Sequence, residues 1–212
     1  MKLLIIGATG GTGQYVVKQA LALGHNITAF VRNPNNFKIS HANLKVIQGD
    51  VMVLSSLQTA MQNQEAVICC LGAPALKAGK LRSVGTENII KAMNENGVSR
   101  LICQSSLGFG DSAVMLNNAS FFTKYFIIPF ILRKTLKEHH VQESLIKKSN
   151  LNWTIIRPAT MDNGPFTGIY KHGFPYTDTN LKLKISKADV ADFLVTQLTS
   201  TTYQGKITGI SY

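Results

Sequence analysis

The chain alternates short, continuously apolar runs with longer segments in which apolar residues recur every three or four positions. The first run, residues 3–6, is apolar throughout, which is typical of a parallel strand that is buried on both faces. Residues 11–23 carry apolar side chains at helical spacing, and Gly24 stands where the C-terminal cap of a helix is expected. Residues 27–31 form a second apolar run. This order predicts a strand–helix–strand unit of about thirty residues.

The same alternation continues along the rest of the sequence. Strands that alternate with helices form a parallel sheet, and right-handed crossovers bring the carboxyl ends of the strands to one edge, where ligands bind. At 212 residues, the chain has the length of one α/β domain. We therefore predict a single domain over residues 1–212, a Rossmann-like, doubly wound parallel sheet flanked by helices. Further strands are predicted at residues 45–47, 66–70, 100–103, 153–156 and 205–212, and further helices at 53–61, 83–96, 137–148 and 187–198.

A glycine-rich turn follows the first predicted strand directly. Its sequence, GATGGTG at residues 7–13, has the spacing G-x-x-G-x-x-G in place of the better-known G-x-G-x-x-G. Glycine allows the backbone to turn tightly and to approach a pyrophosphate, while the N-terminus of the next helix supplies N–H donors. A tight turn without a ligand is the alternative explanation. The strand before the turn and the helix after it favour a dinucleotide site.

Polar residues also follow three other predicted strands. Arg32 stands where enzymes that use NAD carry an acidic residue for the ribose hydroxyls, and an arginine there favours the 2′-phosphate of NADPH over a solvated surface position. Asp50 suits either the adenine edge of the cofactor or the N-cap of the next helix. Ser105 and Ser106 follow the fifth strand, where the nicotinamide is expected, although a polar turn would also explain them.

The proton donor of any reduction is not obvious from the sequence. No tyrosine is followed four residues later by a lysine, so the Tyr-x-x-x-Lys pair of many short-chain reductases is missing. His139 and His140 are candidates for this role, and two surface histidines of a helix are the alternative. Because no base is adjacent to Ser105 in the sequence, we expect this serine to orient a bound group and not to act as a nucleophile.

Charge and cysteine content indicate which partners and which cellular compartment to expect for the protein. The formal net charge is +11 at pH 7, but the lysines and arginines are spread along the chain without interleaved aromatic residues, which argues against nucleic acid as a partner. Cys69, Cys70 and Cys103 fall in predicted buried strands, as expected of reduced thiols in a cytoplasmic protein. No metal-ligand spacing, signal peptide or transmembrane segment is predicted.

Seven segments together resemble the atypical short-chain dehydrogenases/reductases, which have an NAD(P)-binding fold. The resemblance is greatest to the biliverdin-IXβ reductase/flavin reductase type and looser to NmrA-like proteins, and it covers nearly the whole chain. The segments are GATGGTG, VRN, GD, CLGA, the serine pair, NWTIIRPATMDNGPFTGIY and ISKADVADF.

The resemblance implies hydride transfer from NADPH to a flavin or a linear tetrapyrrole. It also implies an active-site serine at Ser105, beside which we place Ser106 as a second candidate catalytic residue. The cofactor contacts that we expect are Gly7, Thr9, Gly10, Gly11, Thr12, Gly13, Arg32, Asp50, Val51, Leu71, Gly72, Ser105, Pro158, Ala159 and Thr160.

One segment departs from this resemblance. Residues 119–132 are longer and more apolar than expected, and they could form a hydrophobic lid over a flat acceptor, an ordinary core helix, or a surface for a protein partner or a membrane. Two functions therefore stand side by side. The first is an NADPH-dependent reductase of a planar conjugated acceptor, and the second is a non-catalytic NADP(H)-binding sensor or assembly factor.

Overall fold

Ten strands and five helices alternate along residues 1–72, 79–118 and 132–212, which are the residues that the computed structural model describes. Two segments of 3-10 helix, Pro34–Asn36 and Gly110–Asn118, lie in the connections. The strands are β1 (Lys2–Ile6), β2 (Asn26–Val31), β3 (Leu44–Gln48), β4 (Ala66–Cys69), β5 (Arg100–Gln104), β6 (Asn152–Pro158), β7 (Thr160–Asp162), β8 (Lys171–His172), β9 (Lys184–Ser186) and β10 (Lys206–Ser211). The helices are α1 (Gly11–Ala22), α2 (Leu54–Met61), α3 (Leu81–Glu95), α4 (Arg133–Lys148) and α5 (Lys187–Thr196).

Eight of these strands form one sheet in the order β3-β2-β1-β4-β5-β6-β10-β8. All neighbours in it are parallel except β8, which runs antiparallel to β10 at the edge. The chain builds outward from β1 through β2 to β3, then returns to the other side of β1 and builds from β4 to β6. The predicted doubly wound, mostly parallel sheet is confirmed. Its order reverses between β1 and β4, and such a reversal opens a crevice for a ligand.

Both faces of the sheet are covered, and β1 shows why its sequence is apolar throughout. Successive side chains of a strand point to opposite faces. Leu3 and Ile5 belong to the core beneath α1 and α5, whereas Leu4 and Ile6 belong to the core beneath α2, α3 and α4. All four are fully buried. Burial on both faces holds the carboxyl end of β1 in a fixed position, and the glycine turn begins there.

The differences from the prediction concern short elements. The helix predicted from residue 137 begins at Arg133. The strands β7, β8 and β9 were not predicted, because two or three residues are too few to show a periodicity. Cys69, Cys70 and Cys103 are buried free thiols, as predicted.

The apolar segment singled out in the sequence falls largely outside the described residues. Of residues 119–132, only Leu132 is described, and it directly precedes α4. The lid, core and partner-surface hypotheses for this segment therefore stay as predictions. In the part of the chain that is described, no helix combines the length and the apolar character needed to cross a membrane.

Candidate functional site

A cleft of about 630 Å³ opens at the carboxyl edge of the sheet, where the strand order reverses. It extends from the end of β2, across β1 and β4, to the end of β5. Twelve of the residues expected at the site from the sequence line it: Gly7, Thr9, Gly10, Gly11, Thr12, Gly13, Arg32, Val51, Leu71, Gly72, Ser105 and Ser106. Ten further residues line it as well: Phe30, Val31, Gly49, Cys70, Leu81, Arg82, Gln104, His139, Met161 and Lys187.

The glycine turn lies in the middle of the cleft and leaves no room for side chains. Gly7 has φ +80°, and a Cβ on it would lie 2.4 Å from the carbonyl oxygen of Cys70. A Cβ on Gly13 would lie 2.1 Å from the carbonyl oxygen of Gly7. No side chain caps the N-terminus of α1, whose N-cap residue is Gly10. The first N–H groups of α1 are thus presented to the cleft, an arrangement that suits a phosphate group.

Lys187 approaches this turn from the start of α5. A Cβ on Gly11 would lie 2.8 Å from Cδ of Lys187 and 3.2 Å from its Nζ, so the lysine side chain lies across the glycine. Its Nζ donates a hydrogen bond to Oδ1 of Asn163 at 2.7 Å. An ammonium group beside the N-terminus of α1 adds to the positive potential there. The sequence pattern around Lys187 indicates no role for it, although it lies in the segment ISKADVADF.

Arg32 and Asp50 occupy different positions at the far end of the cleft. Arg32 is exposed at the rim, directly after β2. Asp50 does not line the cleft, and its Oδ1 accepts a hydrogen bond from the backbone N–H of Met52 at 2.9 Å. The alternative role of Asp50 as the N-cap of the next helix is wrong, since α2 begins at Leu54 with Val53 at its N-cap. Asp50 stabilises the turn that leads from β3 toward α2.

Ser105 and Ser106 differ in their surroundings at the opposite end. Ser105 is 3% exposed, and its Oγ lies 3.3 Å from Nδ1 of His139, a residue of α4. Ser106 is partly buried, and its hydroxyl donates to the carbonyl oxygen of Leu107 at 3.0 Å. No base is adjacent to Ser105 in the sequence, and the imidazole in contact with it, that of His139, comes from α4. Of the two serines, Ser105 alone is in hydrogen-bond reach of a titratable group among the described residues.

His139 is held in an environment that disfavours its charged form. It is 6% exposed and stacks on Phe109, with ring centroids 6.0 Å apart. Burial, followed by the positive charge of Arg82, lowers the pKa of His139 to about 3. The imidazole is therefore neutral near pH 7. A neutral imidazole can orient the Ser105 hydroxyl, but with this pKa it is a weak base and does not store a proton for transfer.

A buried ion pair between Arg157 and Glu143 holds α4, which carries His139, against the end of β6. Arg157, at the end of β6, donates from Nε and Nη2 to the two carboxylate oxygens of Glu143 on α4, at 2.8 and 2.6 Å. Its guanidinium also pairs with Asp111 and lies 4.7 Å from the ring centroid of Phe109. Arg157 thus connects β6, α4 and the 3-10 helix after β5. Breaking such a pair by removing one partner leaves an uncompensated buried charge.

Arg82, the second residue of α3, is a buried cation that forms part of the wall of the cleft. It is 5% exposed, and neither its Nε nor its Nη1 has a hydrogen-bond partner among the described residues. Burial lowers the pKa of Arg82, while the negative charge of Glu138 opposes that shift. Arg82 could not be identified from the sequence, because a single cation at the start of a helix is an ordinary surface feature.

The segment around Pro158 contributes to the cleft through a neighbouring residue. Pro158, Ala159 and Thr160 do not line the cleft. The carbonyl oxygen of Pro158 accepts from the backbone N–H of Leu107 at 3.0 Å, and the N–H of Ala159 donates to Ile210 at 3.0 Å. The next residue, Met161, does line it, and its sulfur accepts from Oγ1 of Thr12 and Nε2 of Gln104. This segment thus connects the loop after β5, which carries Ser105, Ser106 and Leu107 and is called the serine loop below, to the glycine turn.

Comparison with known proteins agrees with this geometry. An uncharacterized chloroplastic protein of Arabidopsis thaliana is 29% identical over 178 residues, which cover 79% of this chain and 61% of that protein. The chain spans from 32% to 61% of the length of the first three curated relatives that it matches.

Two solved structures have the same fold. An anaerobilin reductase from Escherichia coli O157:H7, ChuY, superposes with a TM-score of 0.81 at 22% identity, over 99% of this chain and 96% of that one. A short-chain dehydrogenase/reductase from Veillonella parvula in complex with NADP superposes with a TM-score of 0.77 at 20% identity, over 100% and 94% of the two chains. The sequence profile of the NAD(P)H-binding family matches residues 7–201. The chain therefore belongs to the NAD(P)H-binding family and has a Rossmann-like fold.

Proposed function

We propose that the protein is an NADPH-dependent reductase that transfers a hydride to a planar conjugated acceptor, a flavin or a linear tetrapyrrole. The observation that carries this proposal is the continuity of the cleft. It links a cation at the end of β2, an uncapped helix N-terminus behind a glycine turn, and a buried serine–histidine pair at the end of β5. Three features in this order match the 2′-phosphate, the pyrophosphate and the nicotinamide of NADPH.

The residues present fit this cofactor. Side chains on Gly7 or Gly13 would fill the turn, so the backbone there can approach a pyrophosphate closely. Lys187 and the N-terminus of α1 would hold the pyrophosphate, and Arg32 would hold the 2′-phosphate. When bound, NADPH supplies the hydride. Asp50 would act on the adenine edge indirectly. It stabilises a turn whose residues Gly49 and Val51 line the cleft.

The chain's contribution to the chemistry is to orient the reacting groups and to exclude water. The Ser105 hydroxyl, held by neutral His139, can hydrogen-bond the carboxamide of the cofactor or a carbonyl of the acceptor. Neither residue forms a covalent bond in this proposal, because a histidine with a pKa of about 3 is too weak a base to activate a serine at neutral pH. Flavins and bilins accept a hydride readily, so most of the reactivity belongs to the cofactor and the acceptor.

The tetrapyrrole alternative has support from the comparison with ChuY. That protein is an anaerobilin reductase by name, and its fold covers 99% of this chain. At 22% identity, the likeness to ChuY concerns the fold alone. The choice of acceptor is therefore based on the cleft and on the sequence resemblance to the biliverdin-IXβ reductase/flavin reductase type. The Pro158–Thr160 segment of that resemblance would act by positioning Met161 and the serine loop.

The test is NADPH oxidation by the purified chain without oxygen, with FMN, riboflavin, biliverdin IXα and biliverdin IXβ compared side by side. We expect acceptor-dependent oxidation with at least one of them, and Ser105→Ala should reduce its rate about 10–100-fold. Tight NADPH binding without reduction of any acceptor would contradict the proposal. It would favour the non-catalytic NADP(H)-binding sensor or assembly factor.

A further inference from the structure

Three cations lie along the cleft at separate places. Arg32 stands at the rim after β2, Lys187 lies across the glycine turn, and Arg82 forms part of the wall at the start of α3. NADPH carries negative charge at two places, the 2′-phosphate and the pyrophosphate. The proposed binding mode pairs these with Arg32 and with Lys187 together with the N-terminus of α1. Arg82 is therefore left without a counterpart on the cofactor.

Arg82 is also left without a partner in the described protein. It makes no hydrogen bond or ion pair with any described residue, and its Nε and Nη1 are fully shielded from solvent. The negative charge of Glu138 acts on Arg82, but the Glu138 carboxylate accepts from the N–H of Ser83 at 3.1 Å and from the Ser83 hydroxyl at 3.0 Å. A buried cation that is not hydrogen-bonded is costly. Such a group in the wall of a cleft is suited to receive an anion.

The surroundings of Arg82 indicate which ligand would bring that anion. Ser83, the next residue of α3, donates from its backbone N–H to Glu138 at 3.1 Å, and Glu138 directly precedes His139 on α4. Arg82 and His139 both line the cleft, and Nδ1 of His139 contacts Ser105. Arg82 therefore lies at the end of the cleft where the nicotinamide and the acceptor are proposed to meet. The planar guanidinium is matched in geometry to a carboxylate or a phosphate, with two parallel N–H donors.

We propose that Arg82 binds an anionic substituent of the acceptor, a carboxylate or a phosphate, and so makes the protein select anionic over uncharged planar acceptors. This inference rests on the proposed reductase function. The carboxylates of a linear tetrapyrrole and the phosphate of FMN supply the same chemistry. Riboflavin and a bilin dimethyl ester keep the conjugated system and lack that charge.

The experiment compares kcat/KM for FMN against riboflavin and for biliverdin against its dimethyl ester. In the unaltered chain we expect the anionic member of at least one pair to be preferred by about tenfold or more. Arg82→Met should remove that preference, because the KM for the anionic acceptor should rise by a larger factor than the KM for its uncharged counterpart or the KM for NADPH. Arg82→Lys should retain part of the preference, since it keeps the charge and loses the planar geometry. The matched control is Lys80→Met, which removes an exposed positive charge two residues away and should change nothing.

Each result decides the question. Equal loss of activity toward charged and uncharged acceptors in Arg82→Met would overturn the inference and leave Arg82 a structural residue. A rise in the KM for NADPH, with acceptor preference intact, would place Arg82 on the cofactor and also overturn it. If Arg82→Met does not fold, as judged by circular dichroism, the preference of the unaltered chain and its decrease in Arg82→Lys decide. Turnover without any charge preference overturns the inference alone, whereas absence of turnover with all four acceptors overturns the proposed function.

Discussion

Oγ of Ser105 lies 3.3 Å from Nδ1 of His139, although the two residues are 34 positions apart. One residue follows β5 and the other lies on α4, so the contact depends on how α4 packs against the sheet. The pair is buried, and the histidine is neutral because burial and Arg82 both disfavour its charged form. The contact therefore positions a hydroxyl group at the reacting end of the cleft.

The first prediction concerns this pair. Ser105→Ala should lower kcat about 10–100-fold, as expected for the loss of one orienting hydrogen bond. His139→Gln should lower it through the same hydroxyl, so the double variant should be no slower than the slower single variant. Steady-state kinetics of the three variants checks this. Fully multiplicative losses would show that His139 acts independently of Ser105.

The second prediction concerns acid stability. The pKa of His139 is about 3 in the folded chain and near the ordinary value of 6.5 when unfolded, so below pH 6.5 the unfolded state binds a proton that the folded state does not. His139 thus stabilises the fold fully above pH 6.5, and its contribution is lost as the pH falls toward 3. Between about pH 5.5 and about pH 4, the free energy of unfolding should fall by about 1.4 kcal/mol per pH unit more than in His139→Gln.

Denaturant titrations at several pH values measure this difference. His140→Gln is the matched control, because His140 is the exposed neighbour on the same helix. Its stability should follow that of the unaltered chain throughout. Parallel curves for the unaltered chain and His139→Gln would show that His139 is protonated in the folded state.

The third prediction concerns the glycine turn. Gly13→Ala places a Cβ 2.1 Å from the carbonyl oxygen of Gly7, and backbone on both sides prevents an easy adjustment. We expect a loss of several kcal/mol in the free energy of unfolding, about 2 or more, and no measurable NADPH binding. Gly72→Ala is the control for stability, since a Cβ there meets no atom of a described residue within 4 Å. Equal stability of the two variants by denaturant titration would contradict this description of the turn.

The sequence predicted the parts of this site that depend on local pattern. The strand before residue 7, the glycine spacing and the helix behind it are contiguous, so the turn could be located without a structure. Arg32, Ser105 and Ser106 could be placed because each follows a recognisable strand, and all strand ends meet at one edge. Asp50 also follows a strand, but its position suited both the adenine edge and a helix N-cap. The structure places it in a turn outside the cleft.

The sequence left Arg82 and Lys187 without a role and did not place His139 beside Ser105, and all three residues reach the cleft from helices. Arg82, His139 and Lys187 come from α3, α4 and α5, and each is a single polar residue in an otherwise ordinary helix. Their meeting depends on how the helices pack on the sheet. His139 was a candidate, but only the contact with Ser105 distinguishes it from His140. The same limit applies to the short strand β7, which carries Met161 into the cleft.

The fourth prediction concerns the choice of cofactor. NADPH should bind more tightly than NADH, because Arg32 lies at the rim where the 2′-phosphate is proposed. A charge-assisted hydrogen bond is worth about 1.5–3 kcal/mol, so Arg32→Ala should narrow the preference about tenfold or more. Isothermal titration calorimetry with both nucleotides measures the ratio. Equal affinities in the unaltered chain would contradict the placement.

Two controls separate this effect from general electrostatics. Lys187→Met should weaken NADPH and NADH by the same factor, since both carry the pyrophosphate beside which Lys187 is proposed to lie. Lys45→Ala removes an exposed positive charge on β3, away from the cleft lining, and should leave both affinities unchanged. A loss of preference in Lys45→Ala would show that net charge, and not Arg32, sets the ratio.

Hydride transfer from C4 of the nicotinamide can be followed by isotopic labelling. NADPH carrying deuterium at C4 of the nicotinamide, on each face in turn, is mixed with the protein and biliverdin in the absence of oxygen. We expect one face to give a slower reaction and deuterium in the reduced bilin, with one NADPH consumed for each acceptor reduced. Binding of NADPH with neither a flavin nor a bilin reduced, or reduction of the bilin without deuterium in the product from either face, would contradict hydride transfer.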